Sequence, residues 1–318
     1  MQSISKYITF RSIQSNESAM TLDQLRIFVA VAEREHLTRA AEALRLTPSA
    51  VSSAIQVLES RYDARLFDRV GRRIELTEAG RIFLAEARAT LARAEAAELA
   101  LSELGGTMRG TLTIEASQTI ASYWLPPALI RFRAEHPLVK IRLGAGNTET
   151  VRRAVHDGAA EIGFIEGHID DPALASRQVG EDRLIIVAAP GHALAAARDV
   201  GAQELAATRW ILRERGSGTR SVFEAALAAR GIAPGILNVD LELPSNEAVR
   251  AAVELGAHAT VVSELVAAPH IAAGTLIRAA FAMPPRAFSM IWHKERYRSR
   301  AARALDALLP AGREAGPR

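Results

Sequence analysis

The chain of 318 residues contains no cysteine. Disulfides, thiol catalysis and cysteine-based metal sites are excluded, and a reducing compartment fits. The eight histidines, His36, His136, His156, His168, His192, His258, His270 and His293, are scattered without metal-ligand spacing. A nucleophile elbow is also missing, because Gly216-Ser217-Gly218 lacks the intervening residues that Gly-x-Ser-x-Gly requires. No apolar run approaches the length of a membrane span; the stretch over 184–197 is broken by Pro190, Gly191 and His192. Residues 1–19 lack the apolar core of a signal peptide and read as a disordered extension before a start near Met20, which points to the cytoplasm. Together these absences leave no catalytic residue, metal or cofactor to assign, so an enzyme is not expected.

Net charge is scarce too. The formal value of +3 does not announce nucleic acid. Residues 20–110 hold as many acidic as basic side chains. The positive charge is local: Arg61, Arg65, Arg69, Arg72 and Arg73 stand against Asp63 and Asp68. Any binding to a polyanion has to come from a focused patch. The apolar fraction of 49% is enough for a substantial core, and the length suits two or three modules.

Within that frame residues 20–80 carry the strongest pattern. Helical apolar spacing runs through Leu25, Phe28, Val29 and Ala32, then Ala40, Ala41 and Leu44, then Val51, Ile55 and Leu58. The break at Leu46-Thr47-Pro48-Ser49 is short. Proline costs no hydrogen bond in a first helical turn, and a neighbouring Thr or Ser can cap the free amides. The helix that follows buries Val51, Ile55 and Leu58 and presents Ser49, Ser52, Ser53 and Gln56. Hydroxyls and an amide on a free face suit a DNA major groove, where Gln can pair with adenine. Thr47 and Pro48 at the helix start join the DNA-contact candidates. The spacing alone equally describes a small helical bundle with a polar face. Residues 67–77 then read as a β-hairpin carrying Arg69, Arg72 and Arg73, a wing whose arginines can hold phosphates.

These residues resemble a known family. Ala40, Ala41 and Leu44, Ser49 to Ser52, Ile55 with Leu58 and Glu59, Leu66, Phe67 and Arg69, and Leu76, Thr77, Ala79 and Gly80 fall in the order of the winged helix–turn–helix of LysR-type transcriptional regulators. The resemblance continues to about residue 305. Ser53 departs where the family often has Arg, Tyr62-Asp63 replaces a residue followed by Gly, and His36 replaces a Ser near a helix start. The resemblance implies double-stranded DNA as partner, a small-molecule effector, and a homodimer or homotetramer. A helix from Thr77 to about Leu104, stopped by Gly105-Gly106, places Phe83, Ala87, Thr90, Ala94, Ala97, Leu101 and Leu104 on a heptad seam and is expected to dimerise.

After Arg109 strands and helices alternate: strands at 111–115, 139–143 and 161–165, helices over 124–135 and from Asn147 to Gly158. A second series follows with strands at 209–213, 236–243 and 260–262, and a strand at 288–293 and a helix at 300–309 close the chain. The expected fold is α/β with an N-terminal all-α winged helix–turn–helix and two doubly wound lobes resembling type 2 periplasmic-binding proteins. Expected boundaries are 20–77 for DNA binding, 78–106 for the linker helix, and 107–318 for the effector domain. Its first lobe takes about 107–183 and 288–318, its second about 184–287, and strands at 184–189 and 287–292 cross between them. The chief alternative is a solute-binding protein of the periplasmic type.

Strand-to-helix loops supply the ligand candidates. Gly216 and Gly218 let the backbone turn its amides inward, Ser217 and Thr219 add hydroxyls, and the helix start adds partial positive charge, which together favour an anion. An ordinary capped turn explains the same four residues. Ser117, Gln118 and Thr119 end the opposing first strand, and Glu166 ends the third. Asn147, Thr148, Ser245 and Asn246 read equally as helix caps. Asp170-Asp171 reads as a solvated turn and His258 as a surface histidine. The wording GSGTR…SNEAV resembles the CysB- and CbbR-like branch of the family, which again implies a small anion.

Overall fold

A computed structural model describes residues 20–70, 73–103 and 108–310. The extension over 1–19, Gly71, Arg72, Leu104 and the Gly105-Gly106 stop lie outside the described residues. The chain forms two compact units that divide between Leu91 and Ala92. That division falls within the stretch expected to form the linker helix.

The first unit holds helices α1 (Leu22–Arg34), α2 (Leu37–Leu44) and α3 (Pro48–Tyr62), then strands β1 (Phe67–Val70) and β2 (Arg73–Leu76). A Thr21–Gln24 capping box starts α1, and the Thr47 hydroxyl accepts the Ala50 amide at the start of α3. His36 opens α2 without any side-chain cap, as its departure from Ser implied. Glu35, Arg45 and Asp63 end the three helices in the left-handed region, at φ 48°, 57° and 47°, a conformation that costs non-glycine residues about 1–2 kcal/mol each. The core gathers Leu25, Phe28, Val31, Ala40, Val51, Ile55, Leu58 and Ile74.

Two motif residues then fix the wing. Glu59 on α3 accepts the amides of Leu66 and Phe67 at 2.8 and 3.2 Å, tying the hairpin to the helix. Thr77 donates to the Arg65 carbonyl at 2.7 Å and accepts the Gly80 amide at 3.0 Å, which starts α4 (Glu78–Glu103) against the hairpin. Phe83 and Ala87 of the expected seam face this unit's own core, Phe83 with its ring 4.7 Å from Phe28. Thr90, Ala97 and Leu101 remain exposed and Ala94 is half-buried.

Gly80 is the tightest point of this packing. A Cβ there would lie 2.1 Å from the Leu66 carbonyl oxygen. Backbone cannot yield as a flexible side chain can, so Gly80→Ala is expected to cost about 1–3 kcal/mol. Trp124, Trp210 and Trp292 all lie in the second unit. The loss should therefore show as an earlier urea transition by far-UV circular dichroism, with tryptophan fluorescence unmoved. Coincident and unshifted transitions would contradict it.

The second unit is built on one mixed sheet. Strands β3 (Gly110–Ser117), β4 (Val139–Gly146) and β5 (Ile162–Glu166) run parallel, with α5 (Pro126–Glu135) and α6 (Thr148–Asp157) between them. A turn of π-helix at Ile120–Trp124 precedes α5, so that helix starts later than its apolar pattern implies. The chain then crosses on β6 (Leu174–Ala188) and builds a second lobe from α7 (Ala202–Ala207), β7 (Arg209–Arg213), α8 (Gly218–Ala228), β8 (Asn238–Leu243), α9 (Asn246–Val253), β9 (Ala259–Ser263) and α10 (Glu264–Ala272). After β10 (Ile277–Arg278) it returns on β11 (Pro285–His293) and closes with α11 (Arg300–Leu308). The order across the sheet is β4-β3-β5-β11-β6-β9-β7-β8, with β10 on β6.

The crossing strands are longer than expected. β6 starts at Leu174, ten residues before the expected strand, because its polar first part gains a ladder from β11 rather than a buried face. Its last residues pair with β9, Leu184 opposite Ser263. β8 begins at Asn238 because Pro234–Ile236 forms a 3-10 turn. Helices α7 and α10 were not expected. Leu112, Ile114, Phe132, Phe164, Phe288 and Met290 fill the first lobe, and Leu184, Ile186, Trp210, Leu212, Phe223 and Val261 the second.

Candidate functional site

On the first unit, Ser49, Ser53 and Gln56 are exposed along α3 and Ser52 is half-buried, while Val51, Ile55 and Leu58 are buried beneath them. The spacing of 49, 52–53 and 56 keeps them on one face. Thr47 is occupied by its cap and lies 3.1 Å from the Ser49 hydroxyl, and Pro48 is the first helical residue. On the wing, Arg69 pairs across from Ile74 and Val70 from Arg73. Arg69 and Arg73 are exposed, and among the described residues neither joins an ion pair. The structure thus places all the α3 candidates on one helix and Arg69 and Arg73 on one hairpin; Arg72 lies outside the described residues.

In the second unit the strand ends bring the ligand candidates together between the lobes. Ser117 ends β3, Glu166 ends β5, and Ser217 precedes Gly218 at the start of α8. Gly216 takes φ 87°, and a Cβ on Gly218 would sit 2.9 Å from the Glu166 carbonyl oxygen. Glycine at these two positions lets the second lobe's loop touch the first lobe. The Glu149 amide donates to the Gly216 carbonyl at 3.2 Å.

Side chains complete the junction. Gln118 donates to the Pro244 carbonyl at 2.8 Å and accepts the Asn246 amide at 2.9 Å. Asn246 donates to the Thr119 hydroxyl at 3.1 Å and accepts Arg213 Nη1 at 2.6 Å. Asn147 donates to Glu214 at 3.0 Å while its oxygen caps α6. Asn147 and Asn246 therefore bridge the lobes, and Ser245 is a plain cap, accepting the Ala248 amide.

Apart from Glu166, the charge in this junction comes from residues that no sequence pattern singles out. Arg286 on β11 donates to Asp182 on β6 at 2.8 and 2.5 Å, to the Thr219 hydroxyl at 3.0 Å, and stands 3.2 Å from Glu166 Oε2. Ser263 donates to the other Asp182 oxygen at 2.8 Å. Arg213 chelates Glu214 at 2.7 and 2.9 Å. Burial pushes the Glu214 carboxyl up, but the bonds from Arg213 and Asn147 outweigh it and hold the group below the usual range. Against two arginines stand three carboxylates, so an anion here would rely on hydroxyls, amides and the start of α8 rather than on a basic field. Ser117 Oγ, Ser217 Oγ and Glu166 Oε1 are buried without a hydrogen-bond partner. A hollow of about 250 Å³, bounded by Arg215, Gly216, Ser217, Arg220, Ser221 and Glu224, adjoins the same loop.

Two loop readings change. Asp171 is no solvated turn: its side chain is 5% exposed and accepts Arg152 at 2.7 Å. Burial raises its carboxyl, but Arg152, the Ala173 amide and His156 together hold it below the usual range. His258 is half-buried and bonds Asp240 at 2.8 Å. Among the described residues no cluster of His, Asp and Glu could hold a metal, and no helix is long and apolar enough to cross a membrane.

A DNA-binding helical module joined to a two-lobed ligand-type domain is the architecture of a ligand-responsive regulator. Residues 22–81 match the family described as "Bacterial regulatory helix-turn-helix protein, lysR family", and residues 105–312 match the LysR substrate binding domain. The chain belongs to the LysR family of transcriptional regulators. It is 38% identical over 296 residues to the "Uncharacterized HTH-type transcriptional regulator YeiE" of Escherichia coli (strain K12), covering 92% of this chain and 98% of that one. It is 32% identical over 292 residues to the "Probable RuBisCO transcriptional regulator" of Cyanophora paradoxa, covering 90% of each. The "HTH-type transcriptional regulator CysL" of Bacillus subtilis (strain 168) is 32% identical over 247 residues, 78% of this chain and 82% of that one. In fold, the crystal structure of full-length CbnR complexed with its target DNA matches with a TM-score of 0.65 at 21% identity, over 91% of this chain and 99% of that one.

Proposed function

We propose that the chain acts in the cytoplasm as a homo-oligomeric, sequence-specific regulator of transcription and not as an enzyme. Gln56 and Ser52 read bases, Ser49 and Ser53 border them, Thr47 and Pro48 set the helix start, and Arg69, Arg72 and Arg73 hold phosphates. The exposed stripe of Thr90, Ala97 and Leu101 on α4 supports a helix–helix dimer, which would present two recognition helices to an interrupted palindrome. The effector is a small anion between the lobes, met by Ser117, Gln118 and Thr119 on one side and Ser217, Gly218 and Thr219 on the other, with Glu166 behind it. It acts by binding two arrangements of the oligomer with different affinity.

The observation that carries this reading is the set of buried, unpartnered hydroxyls, Ser117 Oγ and Ser217 Oγ, beside a helix start. A buried polar group without a partner costs about 1–3 kcal/mol, which a ligand recovers. The test is calorimetry of the full chain against sulfate, phosphate, sugar phosphates and carboxylates, with footprinting on DNA beside its own gene. A binder should alter the footprint, and Ser117→Ala should weaken it about ten- to a hundredfold. Thr219→Val is the poorer probe, because the Thr219 hydroxyl also serves Arg286. A neutral binder insensitive to Ser117→Ala would refute the anion and leave the regulator.

A further inference from the structure

The Glu166 carboxylate, which meets residues of both lobes, bears on the ligand further, and this step rests on the anionic reading above. Glu166 is 4% exposed. Its Oε2 faces Arg286 Nη1 at 3.2 Å and receives the Thr219 hydroxyl at 3.5 Å. Its Oε1 is buried and meets no donor. Ser117 and Ser217, 1% and 2% exposed, also carry hydroxyl oxygens without a partner. β3 and β5 are neighbours in the sheet, Ala116 opposite Phe164, so Ser117 and Glu166 end adjacent strands. A Cβ on Gly218 would meet Glu166 Cβ at 2.9 Å, so the start of α8 closes over the same place. Three atoms without partners thus belong to residues at neighbouring strand and helix ends, Ser117 and Glu166 from the first lobe and Ser217 from the second.

They are not equivalent. A hydroxyl donates or accepts by rotating its proton, whereas an ionised carboxylate oxygen only accepts. A fully deprotonated oxyanion would be welcome to Ser117, Ser217 and the α8 amides, yet would set a charged acceptor against Glu166 Oε1. Two charged acceptors facing each other out of water repel, and neither gains a hydrogen bond. An oxygen that brings its own proton turns the same approach into an O–H···O bond. We propose that Glu166 makes the cleft selective for oxyanions that carry a proton donor, either on the anionic group itself or on a hydroxyl beside it, and rejects those without one.

Matched pairs of probes test this on the full chain by calorimetry near neutral pH. Phosphate and sulfate share size and shape, but phosphate keeps at least one proton and sulfate none. Glycolate adds to acetate a hydroxyl beside the carboxylate. Wild type is expected to bind phosphate over sulfate, and glycolate over acetate, by about ten- to a hundredfold. Glu166→Gln offers an amide N–H where Oε1 accepted, and is expected to admit sulfate and bring the first ratio within about threefold. Ser117→Ala should weaken phosphate and sulfate alike and keep their ratio. Should Glu166→Gln fail to fold by circular dichroism, the wild-type ratios and Ser117→Ala decide the matter. Sulfate and acetate binding as tightly as their partners would overturn the inference while leaving the anionic reading. If none of the four binds wild type or Glu166→Gln and a neutral ligand does, the anionic reading falls and takes the inference with it.

Discussion

Arg286→Met is expected to destabilise the second unit by about 3–5 kcal/mol, the usual cost of removing one partner from a buried ion pair. The side chains of Arg286, Asp182 and Glu166 are 1%, 2% and 3% exposed. Without the guanidinium, one Asp182 oxygen and Glu166 Oε2 lose their cationic partner, and the Thr219 hydroxyl loses a donor. Methionine fills similar volume, so lost packing contributes little. Arg286→Lys should recover only part of the loss, since an ammonium is a point charge and cannot span both carboxylates and Thr219 in one planar fork. The double change Asp182→Asn with Arg286→Met should be milder than the sum of the singles, because it also removes the stranded charge. Urea unfolding followed by tryptophan fluorescence reports this unit alone, as all three tryptophans lie in it. A cost under about 1 kcal/mol for Arg286→Met, or strict additivity in the double variant, would show that the network is not coupled in this way.

That network also shows where the sequence stopped being readable. The first unit was legible almost residue by residue, because its helices carry their caps and periodicity locally: Thr47 with Pro48, Asp63 at a helix end, Glu59 and Thr77 in fixed motif positions. The alternating strands of the second unit were legible for the same reason, and so was the convergence of Ser117, Glu166 and Ser217 at strand ends. Asp182 and Arg286 were not. They sit on crossing strands more than a hundred residues apart, each just ahead of the apolar run, 184–189 or 287–292, by which its strand is expected. The one local signal near Arg286 was the pair of prolines before it, which marks a strand start but says nothing of a buried guanidinium. Asn246 posed a different difficulty. It begins a helix next to Ser245, and only the structure separates the capping residue from the one reaching across the cleft. Phe83 and Ala87 fitted a heptad as well as a core, since both demand the same spacing.

On DNA, Gln56→Ala is expected to relax sequence preference at one operator position, costing about 1–3 kcal/mol against the preferred base. Gln56 is exposed on α3, one turn beyond Ser52–Ser53, over a buried Ile55 that holds the helix in place. An amide so placed can accept from N6 and donate to N7 on the major-groove edge of an adenine, and alanine keeps the helix while deleting both bonds. Arg73→Ala should behave differently. Its side chain is exposed on the hairpin, and loss of a phosphate contact weakens every sequence alike and lowers the salt slope by about one. Thr47→Ala separates folding from reading: it removes the cap on Ala50, and should lower stability by about 1 kcal/mol without moving the preferred sequence. Selection from a randomised duplex library, repeated at two salt concentrations, distinguishes the three. An unchanged preference profile for Gln56→Ala, or a profile shifted by Arg73→Ala with its salt slope intact, would move base reading off α3 and onto the wing.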